Sequence, residues 1–240
     1  MLFALGRPVA FAGLLLAFVL ALLLRAVAVR FVLRRLRSAD DRPAFGRERF
    51  RPRPRSGRGR FAPRLREDVD PFGAVAAAVG GTGWGTVIDV DEVPRGAGRG
   101  RAALVFAAGP AVTLVAAQLA LLAYVLVFPS SVELSVYRLS DVLRGQVDAS
   151  YGAQLLLSAG AGLLAFGLLA LIPVPPLDGF GLLWSARRRP GPGLQGYRLW
   201  FEHKNLGVVI LLACCFFPLS YPLLLLPLDL IGTVFLRAWG

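Results

Sequence analysis

Apolar positions in this chain neither alternate nor recur in short helical stripes. They run on in blocks, and arginine-rich stretches separate the blocks. Four blocks stand out, at about residues 9–33, 102–128, 152–174 and 207–236. A bilayer core about 30 Å thick takes about 20 apolar residues as helix, so each block predicts one membrane-spanning helix. The expected fold is therefore an all-α integral membrane protein with about four transmembrane helices. Gln118 is the only amide or charged residue in the second block, whereas the fourth carries Pro218, Pro222 and Pro227. Each proline removes a backbone donor, so that span is expected to be kinked or broken. Asp229 in the same block is an intramembrane acid unless that end lies at the interface.

Composition agrees with the pattern: 56% of the 240 residues are hydrophobic and the mean hydropathy is +0.62. The formal net charge is +12, carried by 26 arginines and a single lysine, Lys204. Such a bias for arginine suits a GC-rich genome, and a bacterial cytoplasmic membrane is the expected location. Basic residues near span ends stay in the cytoplasm, so their distribution sets orientation. Residues 34–101 hold 16 arginines against nine acids, residues 129–150 two against three, and residues 179–206 five basic residues against Glu202. The first and third loops are thus expected inside and both termini outside. A cleaved signal peptide ending at Ala26-Val27-Ala28 fits less well, because cleavage there would export the arginine-rich loop.

The stretch 42–66, RPAFGRERFRPRPRSGRGRFAPRLR, is rich in Arg, Pro and Gly and is expected to be a poorly ordered cytoplasmic segment beside the first span. Its arginines, interleaved with Phe45, Phe50 and Phe61, could contact nucleic acid. Setting topology and touching anionic lipid headgroups is the better reading, so membrane lipids are expected partners and nucleic acid is not. One histidine, His203, excludes any site that needs two from this chain. Cys214 and Cys215 are adjacent in an apolar run and read as small hydrophobes.

Two motifs carry more information. The second span contains Ala107-Ala108-Gly109-Pro110-Ala111, and the third ends in Pro173-Val174-Pro175-Pro176-Leu177-Asp178-Gly179. Together they resemble the site-2 protease family of membrane zinc metalloproteases (peptidase M50). In that family the first helix carries H-E-x-x-H, the next A-G-P-x-x-N, and the third N-x-x-P-x-P-P-L-D-G, whose aspartate is the third zinc ligand. Asp70-Pro71-Phe72-Gly73 and Gly83-Trp84-Gly85 resemble its D-P-[LF]-G and G-W elements, in the membrane-dipping segment between the first two core helices. The stretch 200–207 resembles the approach to its last helix, and 41–57 looks like an insertion. The resemblance implies a single membrane domain over residues 1–240 with a three-helix core. Its groove would be lined by Gly109, Pro110, Thr113, Ala170, Pro173, Asp178 and Gly179.

The departures matter as much. Laid on this sequence, the family's two histidines and glutamate fall at Arg25, Val29 and Ala26, and its two asparagines at Thr113 and Ala170. Only the Asp178 ligand position is retained. Catalytic zinc needs three protein ligands and an open position, and one carboxylate cannot hold it. Ala26 cannot take a proton from water. Zinc is therefore expected to be lost. His203 with Glu202 and Asp178 is a poor substitute, because neighbouring residues point different ways on a helix or a strand. The chain is expected to be a proteolytically inactive relative that binds or positions another membrane protein, or serves as a subunit of a membrane complex. An active metallopeptidase with a non-standard site is the alternative. Finally, a guanidinium about 7 Å deeper than Arg30 needs a partner, and the resemblance puts Asp178 opposite Arg25. An ion pair between them is expected, with phosphate headgroups, water in the groove or Asp229 as the alternative partners of Arg25.

Overall fold

A computed structural model describes residues 1–40, 68–93, 98–129, 134–187, 190–216 and 222–239. The segment expected at 42–66 and the insertion at 41–57 lie outside these residues. The described chain is helical, and its extended parts form one isolated antiparallel bridge, Val69 with Gly85. The helices are α1 (Pro8–Asp40), α2 (Pro71–Gly80), α3 (Arg99–Val127), α4 (Leu139–Leu143), α5 (Tyr151–Ala170), α6 (Asp178–Ala186), α7 (Pro192–Arg198), α8 (Leu206–Phe216) and α9 (Leu225–Arg237).

Three of them are long and apolar enough to cross a membrane: Pro8–Leu36 within α1, all of α3 and all of α5. They answer to the first three apolar blocks. The third ends four residues early, at Ala170, because Pro173, Pro175 and Pro176 cannot continue a helix and the chain turns instead. Among the described residues the fourth block is broken, as its prolines predict. It is α8, 11 residues, and α9, 13 residues, both shorter than the roughly 20 residues a crossing takes. The Leu224 amide donates to the Cys214 carbonyl at 3.4 Å, which ties the residue before α9 to the last turn of α8. Asp229 is not stranded in hydrocarbon: its carboxylate accepts from the Ser140 amide and hydroxyl, both at 2.7 Å.

Helix α5 is the centre of the molecule, with 83% of its apolar window buried, against 28% for α3. Small residues make that possible. Lipid tails supply no hydrophobic force between helices, so close backbone approach and dense packing must hold them. Gly162 leaves room for Ala17 of α1, where an added Cβ would lie 2.6 Å from the Ala17 Cβ. Gly160 admits Leu121 of α3 in the same way. Leu14, Ala17, Ala21, Leu121, Leu157 and Leu164 form the resulting core between α1, α3 and α5.

Between α1 and α3 the chain folds back on itself. Asp70 caps α2 by accepting from the Phe72 amide at 2.9 Å, and Pro71 fits the first helical turn, where no amide is needed. The other Asp70 oxygen accepts from the Trp84 indole at 2.9 Å. Gly73 is obligatory here, because a Cβ would collide with the Trp84 carbonyl oxygen. The two short motifs read in this segment are thus one interlocked unit, which ends in an extended run beside α1.

Candidate functional site

Arg25 lies on α1 and is 6% exposed. Its Nε donates to one Asp178 oxygen at 2.8 Å and its Nη2 to the other at 2.7 Å. This forked arrangement matches the planar guanidinium to the planar carboxylate, the strongest geometry such a pair adopts. Nη1 donates to the Thr86 carbonyl of the extended run. One side chain therefore ties together α1, the segment between α1 and α3, and the start of α6.

Asp178 reaches this position because the prolines at 173, 175 and 176 end α5 and turn the chain, so that α6 starts at Asp178 itself. It is 2% exposed. Its negative charge in the first turn of α6 also suits the positive end of that helix. Gly179 packs directly on the Leu171 and Ile172 carbonyls, where a Cβ would clash. Gly109 has a corresponding role on α3: a Cβ there would sit 2.7 Å from the Arg25 Cγ, so its bareness admits the arginine stem.

Ala26 and Val29 are buried at 8% and 4% and present only methyl groups. Thr113 is fully buried, and its hydroxyl is spent on its own helix, at 3.1 Å from the Gly109 carbonyl and 2.9 Å from that of Pro110. It offers no donor to a bound chain as an asparagine amide would. Ala170, 4% exposed, closes the end of α5. Pro110 is buried beside Gly109, and the Pro173 carbonyl accepts from the Tyr197 hydroxyl at 3.2 Å.

A zinc ion does not fit this donor set. Both Asp178 oxygens already accept from a guanidinium, which would add a positive charge at the metal position. Glu202 is engaged elsewhere, accepting from Arg198 Nε at 2.8 Å, and among the described residues no three His, Cys, Asp or Glu side chains are placed to hold a metal ion. The side chain of His203 lies outside the described residues.

Two features of the site were not read from the sequence. Arg30, one and a half turns beyond Arg25, donates from Nη2 to both oxygens of Asp68, at 2.6 and 2.8 Å, so a second arginine ties α1 to the same segment. Beside the Arg25 pair, a groove of ≈ 260 Å³ runs between residues 87–90, Phe106 of α3 and the Pro175–Leu177 turn. At its mouth Arg198 donates to Asp89 at 2.8 Å and Asp91 at 2.9 Å, and lies over the Trp184 ring. Partial burial acts to lower the Arg198 pKa, but hydrogen bonds and charge from Asp91 and Glu202 outweigh it and hold the guanidinium above its usual value.

Compared with protein-family models, curated proteins and solved structures, the chain matches none. The functional reading therefore rests on its own residues and geometry.

Proposed function

We propose that this chain is a site-2-protease-like membrane protein without proteolytic chemistry, which binds or positions another membrane protein, alone or as a subunit of a membrane complex. The observation that carries the reading is the buried, forked Arg25–Asp178 pair, 2.7 and 2.8 Å, at the place where the resemblance puts a metal. An enzyme of that class needs a zinc-bound water and a base to deprotonate it. Here a guanidinium, which accepts no proton, and the methyl of Ala26 stand in those positions. What the pair does supply is a link between α1 and α6 in a region where a lone charge would be costly.

In this reading the chain sits in a bacterial cytoplasmic membrane, with the arginine-rich ends of α1 and α3 on the cytoplasmic side. The fourth apolar block completes the domain as a broken element. The groove between residues 87–90 and the Pro175–Leu177 turn remains as a surface for a neighbouring protein, with the acid-rich Arg198 cluster at its mouth.

The test is to present the detergent-purified protein with transmembrane peptides in the presence and absence of added zinc. The same preparation is then used for photo-crosslinking from Val87 and Ile88 in native membranes. The expected result is intact peptide under all conditions and a discrete crosslinked membrane protein. Chelator-sensitive cleavage that is lost in Asp178→Ala would overturn the proposal.

A further inference from the structure

On the same side of the molecule as the acid-rich cluster, but separate from the Arg25 site, a second cavity of ≈ 300 Å³ opens at the start of α3. Its lining includes Arg99, Arg187, Ser185 and Trp184 together with the apolar Phe106 and Val93. Several independent features make it an anion site. Helix α3 begins at Arg99 after Gly98, which has no side chain to cap it, so its first amides are left without side-chain acceptors. Such a terminus favours negative charge. Arg99 and Arg187 are exposed, and among the described residues neither meets a carboxylate. Ser185 is 7% exposed, lines the cavity, and makes no hydrogen bond among the described residues, so a buried hydroxyl is left for a ligand.

The depth of the cavity identifies the anion's source. A 29-residue helix is about 43 Å long, about 13 Å more than the hydrocarbon core, so its first residues reach the headgroup layer. Trp184 is an amphipathic ring of the kind that settles at that level. Phe106, seven residues further along α3 than Arg99, and Val93 add apolar lining, against which glycerol and the first acyl carbons would lie.

We propose that this cavity binds one anionic phospholipid. The headgroup phosphate is held by Arg99, Arg187, the Ser185 hydroxyl and the open amides of α3. The inference rests on the membrane placement proposed above and on nothing about proteolysis.

The test is a lipid titration of the full-length chain in nonionic detergent, read by native mass spectrometry. Phosphatidylglycerol, phosphatidylcholine and inorganic phosphate are the three probes, and the result does not depend on which way the protein faces in a cell. One phosphatidylglycerol is expected to bind saturably and in preference to phosphatidylcholine. Joint Arg99→Gln and Arg187→Gln should weaken it about thirtyfold, from about 1 kcal/mol for each basic residue. Ser185→Ala should weaken it a few-fold. Arg99→Lys with Arg187→Lys should restore most of the affinity, which separates lost charge from lost fold. Arg34→Gln with Arg35→Gln, on the same side of the protein, should leave it unchanged. Equal loss in the Arg34 and Arg35 variant, equal binding of the two lipids, or displacement of the lipid by millimolar phosphate would each overturn the proposal.

Discussion

Replacing Asp178 by alanine removes one half of an ion pair whose side chains are 8% and 3% exposed. The Arg25 guanidinium would then keep only the Thr86 carbonyl as a partner. Breaking a buried pair from one side costs about 3 to 5 kcal/mol, most of it the penalty of the charge left behind. The two single variants should not cost the same. A carboxylate left alone can take up a proton and become neutral, whereas a guanidinium cannot lose its charge. Asp178→Ala should therefore destabilise more than Arg25→Met, which also keeps an unbranched stem against Gly109. With both changes no charge remains to be buried, and the double variant should be more stable than Asp178→Ala alone. Reversible unfolding in mixed detergent and dodecyl sulfate micelles measures all four corners of the cycle. The expected coupling energy is about 2 to 3 kcal/mol, at the high end for residues in contact. Additive losses, with the double variant worse than either single one, would refute the reasoning.

Three further outcomes follow from the same geometry. Trp84→Phe should cost about 1.5 to 3 kcal/mol in the same unfolding assay, because the indole donates to the charged Asp70 cap of α2. Gly109→Ala should destabilise by displacing the Arg25 stem, and should cost much less when measured in an Arg25→Ala background, since the colliding Cγ is then gone. Introducing Arg25→His, Ala26→Glu and Val29→His together should not yield a protease, as measured by peptide cleavage with added zinc. Thr113 and Ala170 would still lack amides, and Asp178 would have lost the partner that orients it.

The parts of this fold that were legible in the sequence are those set by length and composition. Blocks of uninterrupted apolar residues gave α1, α3 and α5 nearly to their ends, because nothing in a bilayer competes with a helix for backbone hydrogen bonds. The limits appeared where proline density, not hydropathy, decides. Residues 171–174 are as apolar as the helix before them and form a turn, whereas the break of the block 207–236 into α8 and α9 was expected from its three prolines. Arg25 and Asp178, 153 residues apart in sequence, could be paired in advance because a motif resemblance implied that both positions face one site. Arg30 and Asp68 carried no such signal. Asp68 is one of several acids between the first two long helices, and only the fold-back of the segment brings it to α1. The same holds for Asp70 and Trp84, two residues of recognised motifs whose mutual hydrogen bond neither motif reveals. Thr113 shows a different limit: its side chain is polar, but on a helix the hydroxyl reaches the carbonyls three and four residues back, and it turns to them instead of to the groove.

The claim on which the rest depends is that a guanidinium–carboxylate pair occupies the position where a metal would be held. Element-specific mass spectrometry of the purified protein, equilibrated with zinc and then freed of unbound metal, tests it most directly. The account predicts far less than one zinc per chain, and no difference between the wild-type protein and Asp178→Ala. About one zinc per chain in the wild type, lost in Asp178→Ala, would contradict it.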